Sequence, residues 1–459
     1  MSDTQIIKDK LDIVDVVGEY VQLKSAGTSH KGLCPFHNEK SPSFTVSRER
    51  QAWYCFGCST GGDVFSFVQE IEGMEFVEAL KHLANKAGVT LSGAYTKEVG
   101  SKRTRIKEVL LESARFFHNF LLVMDSARGA REYMLGRGVG EKALIAWHIG
   151  YIPDQWDLLT KYLLKKGYAI DDLVDSGVTI KREAGARFSG KGFYDRFRGR
   201  VMFPIHSTHG DVVGFTGRVI EKPRDGVGKY LNTPQTPVFD KSSLIFGLHK
   251  AKKAIKDKGL AVLVEGQMDV ITAHQHGISH VVASSGTALT SEQISLLKRY
   301  TGKIAMAFDG DEAGKKAAKR GIDLAVSQGL DVRIIEIPDG MGADPDECIR
   351  KDVRVWDRAV EDAKDVMDWY FSEAFLFGDV ATPKGRQAIA NRLFSEIAQL
   401  PFAMERDHWL RVLANRLSVD PGILREDMKK HTNTSLQQVK KPMVEEKTVP
   451  SALKTSPVD

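Results

Sequence analysis

The 459-residue chain has no apolar run long enough to span a membrane. Its N-terminus is polar and charged where a secretory leader would need a hydrophobic stretch. These absences argue against a membrane protein and predict a cytoplasmic one. Net charge is also scarce: 65 Lys and Arg against 60 Asp and Glu leave +5. Residues 181–200 hold seven of the basic residues (Lys181, Arg182, Arg187, Lys191, Arg196, Arg198 and Arg200) against Glu183 and Asp195, a local +5 that leaves the remainder balanced. A basic face on an otherwise neutral chain fits a track for a phosphate backbone. No internal repeat is present. Only 4 cysteines occur, and three of them fall within residues 34–58.

Those three join a histidine as Cys34-Pro35-Phe36-His37 and Cys55-Phe56-Gly57-Cys58, with 17 residues between the pairs. Two knuckles of this spacing supply the four tetrahedral ligands of one structural zinc ion. The stretch between them reads as a β-hairpin, Ser43-Phe44-Thr45-Val46 and Trp53-Tyr54 around a polar turn at 48–51. In a reducing cytosol such clustering points to metal. Cys348 stands apart on a helical stretch and suits a buried small hydrophobe.

Five carboxylates then fall at the ends of buried-strand patterns. Glu265 closes the run Leu260-Ala261-Val262-Leu263-Val264, and Asp309 and Asp311 close Lys303-Ile304-Ala305-Met306-Ala307-Phe308. Asp344 and Asp346 follow Val332-Arg333-Ile334-Ile335-Glu336-Ile337 and a glycine-rich turn. Continuous apolar runs of this length suit strands covered on both faces. The stretches 268–276, 291–300 and 313–328 are long enough for crossover helices. Right-handed crossovers make the strands parallel and bring their C-terminal ends to one edge. Acids crowded there repel unless hard divalent cations lie between them, which outlines a two-metal phosphoryl-transfer site.

The zinc knuckles, Leu263-Val264-Glu265-Gly266-Gln267-Met268-Asp269-Val270 and Phe308-Asp309-Gly310-Asp311-Glu312-Ala313-Gly314 together resemble bacterial DNA primase of the DnaG type. The acid-bearing segment is similar to a TOPRIM domain. Arg196-Phe197-Arg198-Gly199-Arg200-Val201-Met202-Phe203-Pro204-Ile205 and Lys229-Tyr230-Leu231-Asn232-Thr233-Pro234 fit the primase pattern as well. The resemblance runs over about residues 3 to 430. It implies RNA primer synthesis from ribonucleoside triphosphates on single-stranded DNA. Glu265, Asp309 and Asp311 would be catalytic and hold two Mg²⁺ ions, or Mn²⁺, with Asp309 touching both metals. Asp269, Asp344 and Asp346 would lie behind them, though Asp344 also suits a helix cap with Pro345 at the first position. Arg196, Arg198, Arg200, Arg218, Lys229 and Lys241 are candidates for template or triphosphate contact, each weighed against a solvated surface charge.

In the zinc segment Phe36, Phe44, Trp53, Tyr54 and Phe56 alternate with Lys31, Lys40, Arg48 and Arg50. Aromatics beside cations can stack template bases. A small domain also needs aromatics in its core, a reading weighted at least equally with stacking for Phe36 and Phe56. Trp53 and Tyr54 point to opposite faces, so at most one meets DNA. Gly185-Ala186-Arg187-Phe188-Ser189-Gly190-Lys191-Gly192 nearly spells a P-loop, but Gly replaces the Ser or Thr that binds Mg²⁺, and no motor domain is expected. A TOPRIM topoisomerase or nuclease, and a zinc-ribbon regulator with an inactive TOPRIM fold, are the rival readings.

The expected architecture is multidomain α/β. It comprises a zinc-binding domain at 1–95 (ribbon 34–58), a linker at 96–105 and a basic α+β subdomain at 106–258. A parallel-sheet TOPRIM domain at 259–347, a helical subdomain at 348–430 and a disordered tail at 431–459 follow. The linker predicts a zinc domain that moves relative to the rest. After Lys430 the composition turns polar without aromatics. A helical module that docks on the replicative helicase is therefore expected to be missing, in a chain that acts as a monomer.

Overall fold

A computed structural model describes residues 2–91, 102–182, 192–220, 228–308 and 312–439, apart from positions 38, 40, 73, 75, 287, 377 and 401. At 312–317 and 432–439 it describes the backbone alone. The chain forms two units, residues 1–363 and 364–459.

The first unit begins with the helices Asp3–Lys10 and Ile13–Gly18. Ser2 and Asp12 cap them, their side-chain oxygens accepting from the Gln5 and Val14 amides. Strands β1 (Lys24–Ala26), β2 (Ser29–Gly32), β3 (Phe44–Ser47), β4 (Ala52–Cys55) and β5 (Thr60–Gly62) form an antiparallel sheet in sequence order. Helices Val64–Glu72 and Phe76–Ala87 pack on it. The expected hairpin is the β3–β4 pair. The three extra strands are short and mostly polar, so no apolar alternation announces them.

Helix Lys102–Val123 starts within the segment assigned to a linker, so that assignment was too long at its C-terminal end. Its apolar positions Ile106, Val109, Leu110, Ala114, Phe117 and Leu121 recur at helical spacing and are all buried. They lie in the core with a sheet of order β11-β10-β9-β6, namely Tyr230–Asn232, Val212–Val219, Arg200–His206 and Gly150–Ile152. The β9–β10 hairpin turns through His209-Gly210-Asp211, with Gly210 at φ +95°. Strands β7 (Thr179–Lys181) and β8 (Phe193–Asp195) form a separate antiparallel pair.

Strands β12 (Ala261–Val264), β13 (Val281–Ala283), β14 (Lys303–Ala307) and β15 (Asp331–Ile335) pair in the order β13-β12-β14-β15, all parallel. Helices Gln267–Gln275, Ser291–Lys298 and Glu312–Ser327 are the crossovers. Every residue of β12 is buried, as a sheet covered on both faces requires. Strand β13 was not anticipated, because three apolar residues are too short a run to separate from a loop. Helices Pro345–Lys351 and Val353–Glu361 place Cys348, Ile349 and Trp356 in this same core. By compactness these two helices belong to the first unit, which runs on to residue 363.

Within the first unit the zinc-bearing module is seated on the rest by polar contacts. Glu72 bonds His209, Lys107 bridges Glu78 at 2.7 Å, Arg299 donates to the Ile71 carbonyl and Lys256 to that of Glu19.

The second unit has helices Val366–Leu376, Pro383–Gln399, Ala403–Leu417 and Pro421–Val439. Phe371, Leu393, Phe394, Leu413 and Leu417 are buried. Thr382 caps the second helix, with Pro383 at its first position. The last helix continues to Val439, so helical backbone extends past the start assigned to the disordered tail. Residues 440–459 lie outside the described residues.

Candidate functional site

Cys34, His37, Cys55 and Cys58 converge from the loop after β2 and the turn after β4, their ligand atoms all within 4.8 Å of one another. Cys34 Sγ lies 3.9 Å from Cys58 Sγ, and Cys55 Sγ lies 3.7 Å from His37 Nδ1. Zinc–sulfur bonds of about 2.3 Å in a tetrahedron put ligands about 3.8 Å apart. The cluster fits a zinc ion. Gly57 keeps the knuckle tight, since a Cβ there would sit 2.5 Å from His37 Nε2. Burial would raise the Cys55 thiol, but the Ser43 hydroxyl and the Cys58 and Gly57 amides outweigh it and bring it to about 6. Burial pushes Cys34 up to about 12.

Glu39 is a supporting residue that the spacing argument missed. It lies 3.2 Å from His37 Nε2 and accepts from the Cys34 amide at 2.7 Å and the Ser43 amide at 3.1 Å. A carboxylate behind a ligating imidazole fixes the ring and its tautomer. Its signal was its place two residues after His37, which is no ligand spacing.

The ribbon sheet separates the two aromatics considered for stacking. Trp53 is buried with Phe44 at 5.3 Å and donates from Nε1 to the Asp63 carbonyl. It belongs to the core and is withdrawn as a base-stacking candidate. The register pairs Lys24 with Lys31, Lys31 with Thr45 and Thr45 with Tyr54, so these share the other face. Tyr54 is 42% exposed, and Phe56, for which a core place was weighed beside stacking, is 72% exposed and packs on its edge at 5.0 Å.

At the parallel sheet, Leu263 pairs with Met306, so two residues later Glu265 comes level with Phe308 at the C-terminal edge. Asp309 and Asp311 lie outside the described residues, between Phe308 and the helix that begins at Glu312. The loop after β13 wraps Glu265, with the Ser285 amide donating to its carbonyl at 3.2 Å. Glu265, Ser284, Gly286, Leu289, Phe308 and Gly321 line a cavity of about 240 Å³.

Asp269 is buried one turn along the helix, accepting from the Gly266 amide at 3.0 Å and the Asp346 amide at 3.1 Å. Burial and then the Asp344 charge push its carboxyl up to about 7. Asp344 caps helix Pro345–Lys351 through the Glu347 amide, and burial raises it as well. Acids disfavoured in this way are what a divalent cation would relieve, so the donor set fits the expected metal chemistry. Asp346 differs, being ion-paired to Arg137 and Arg350.

The basic candidates separate just as sharply. Arg200 is buried and donates to the carbonyls of Gly217, Gly228 and Lys229. It ties β9 to the β10–β11 connection, its guanidinium bonded to backbone. Arg218 is buried between Tyr133 and Tyr230, 5.6 and 5.4 Å from the ring centroids. Arg196 donates to the Asn232 carbonyl. Lys229 is exposed, and Lys241 reaches the Gly286 carbonyl at 3.3 Å beside the Glu265 cavity. Arg198 and Arg182 each lie 4.6 Å from the Trp156 ring, on which Tyr194 stacks at 4.9 Å. Trp156 and Tyr194 went unnoticed in the sequence because they come from separate segments. Lys40, Arg187, Lys191 and the rejected P-loop segment at 185–191 lie outside the described residues.

Among known families, the CHC2 zinc finger matches residues 2–99, the N-terminal domain of the DNA primase catalytic core 116–252, and a Toprim-like domain 262–349. The DnaB-helicase binding domain of primase matches residues 367–422. That overturns the expectation of a missing docking module: the match lies in the helices before Lys430, not beyond it. The DNA primase of Clostridium acetobutylicum is 38% identical over 422 residues, 90% of this chain and 67% of that protein. The Aquifex aeolicus primase structure with zinc-binding and RNA polymerase domains gives a TM-score of 0.60 at 31% identity, covering 92% of this chain and 99% of that one. A DnaG primase catalytic domain bound to single-stranded DNA gives 0.58 at 31% identity, over 70% of this chain and 98% of that one.

Proposed function

The chain belongs to the bacterial DNA primases of the DnaG type, and we propose that its chemistry resides on the sheet edge marked by Glu265. It is a DNA-directed RNA polymerase that makes primers for replication. Glu265, Asp309 and Asp311 hold two Mg²⁺ ions, with Mn²⁺ as the alternative. Such ions lower the pKa of an attacking hydroxyl and neutralise triphosphate charge when bound. Lys241 and Lys229 hold the incoming ribonucleoside triphosphate by charge. The observation that carries the reading is the parallel register of β12 and β14, which brings Glu265 level with the residue preceding Asp309.

Single-stranded template runs over the face carrying Arg182, Arg198, Trp156 and Tyr194, where cations flank stacked rings. The zinc ribbon offers its Lys24, Lys31 and Tyr54 row to the template. The four helices of the second unit supply the contact with a replicative helicase, a reading supported by the match at 367–422. These roles place the protein in the cytoplasm; among the described residues no helix is long and apolar enough to cross a membrane. The test combines single-stranded DNA, four ribonucleotides and Mg²⁺, read for new short RNA. Absence of product, with zinc bound and DNA binding intact, would refute the assignment of the edge.

A further inference from the structure

One carboxylate of the acid edge is committed elsewhere. Asp346 is fully buried; its Oδ2 accepts from Arg137 Nη2 at 2.7 Å, and its Oδ1 from Thr272 Oγ1 at 2.7 Å and Arg350 Nε at 3.3 Å. Arg137 ends helix Arg128–Gly136 in the N-terminal subdomain, far in sequence from the acids. We infer that Asp346 is a positioning residue rather than a cation ligand, and that Arg137 is the strut that holds it in place. The inference rests on the divalent-cation reading of the sheet edge.

The loop around Arg137 is built for this contact. Gly138 has φ +83°, and a Cβ on it would lie 2.6 Å from Arg350 Cδ, so its absence lets Arg350 lie across the loop to reach Asp346. Gln275 clasps the same loop from helix Gln267–Gln275, donating to the Gly138 carbonyl at 2.9 Å and accepting from the Gly140 amide at 2.8 Å. Turning Asp346 toward a metal would leave two guanidinium groups at one half-buried site without their shared counter-charge.

The consequence reaches the cation site through the backbone. The Asp346 amide donates to Asp269 Oδ1, and Asp344 lies two residues earlier at the cap of the same helix. Holding the Asp346 side chain therefore sets where Asp269 and Asp344 sit relative to Glu265. Arg137 acts on the site without touching a ligand, as a carboxylate behind a metal-bound histidine does.

The test measures Mn²⁺ binding by calorimetry, the Mg²⁺ dependence of primer synthesis, and the salt dependence of single-stranded DNA binding. Arg137→Ala and Asp346→Asn should each weaken Mn²⁺ binding and raise the Mg²⁺ requirement by on the order of tenfold. The double variant should be no worse than the poorer single one, because both remove one contact. The DNA salt slope should not change. Arg137→Lys, which keeps the charge but loses the fork, should fall between the unaltered protein and Arg137→Ala and guards against simple misfolding. The inference is overturned if the two losses multiply, or if Arg137→Ala leaves Mn²⁺ binding intact and lowers the salt slope by about one, the mark of a phosphate contact. Absence of Mn²⁺ binding in the unaltered protein would instead overturn the cation reading, and the inference with it.

Discussion

Cys34, His37, Cys55 and Cys58 reach one point from two turns separated by a single hairpin. Glu265, Asp269, Asp344 and Asp346 reach theirs from strand ends and helix starts spread along a parallel sheet. The ribbon ligands need only local chain closure, so their spacing suffices to identify them. The acids need crossovers to be built first, and each then meets a different environment. Asp346 is neutralised by guanidinium groups, Asp269 is buried against backbone amides, and Glu265 borders an open cavity. Equal-looking carboxylates are made unequal by their neighbours.

The sharpest test of that contrast removes one acid at the edge. Glu265→Gln or Asp309→Asn should reduce primer synthesis by on the order of a thousandfold while leaving the melting transition in place. Neither change deletes apolar packing. Substantial synthesis by either variant would put the chemistry elsewhere.

Next in size is the ribbon. Cys55→Ser should release zinc, whose binding contributes on the order of 10 kcal/mol to folding of such modules. Residues 24–62 should then lose protection from hydrogen exchange while β12 and β14 keep theirs. Metal analysis should find about one zinc per unaltered chain.

Two arginines two residues apart carry the comparison into the basic window. Arg200→Ala removes a guanidinium that bonds three carbonyls, of which that of Lys229 keeps the Val219 amide, and should cost about 2 kcal/mol of stability, with the DNA salt slope unchanged. Arg198→Ala should do the reverse, lowering the slope by about one with little loss of stability. Denaturant melts and binding titrations on both variants would expose any exchange of roles.

The last test concerns acid. Burial, with positive neighbours, holds His206 down to about 4 and His249 down to about 3, and their rings stack at 4.2 Å. Both are neutral in the folded chain, whereas an unfolded histidine takes up a proton near pH 6.5. The unfolded state therefore binds more protons below that pH. Stability is retained above about 6.5 and falls by roughly 1 kcal/mol per pH unit for each ring as the pH drops toward 4. His249→Gln should flatten this dependence, which equilibrium melts between pH 7 and 5 would measure.

Much of the architecture was readable because its signals are periodic or closely spaced. The buried strands carried unbroken apolar runs, and the β9–β10 hairpin carried its turn residues. Strands β1, β2, β5 and β13 were not readable, since three or four residues without alternation carry no period. The helicase-binding match was missed for a different reason: a helical subdomain at 348–430 was visible, but nothing in helical spacing says what its surface binds.

Spacing by itself determined the zinc cluster and the parallel direction of the acid-bearing strands, because each depends on residues joined by short or regular chain paths. Only the tertiary structure decided that Trp53 is core and Tyr54 is surface, that Arg200 holds carbonyls while Arg198 faces Trp156, and that Asp346 answers to Arg137. The physical reason is that a charge or a ring takes its role from its partners and its burial. Those are set by segments as far apart as Arg137 and Asp346, a relation no local pattern contains.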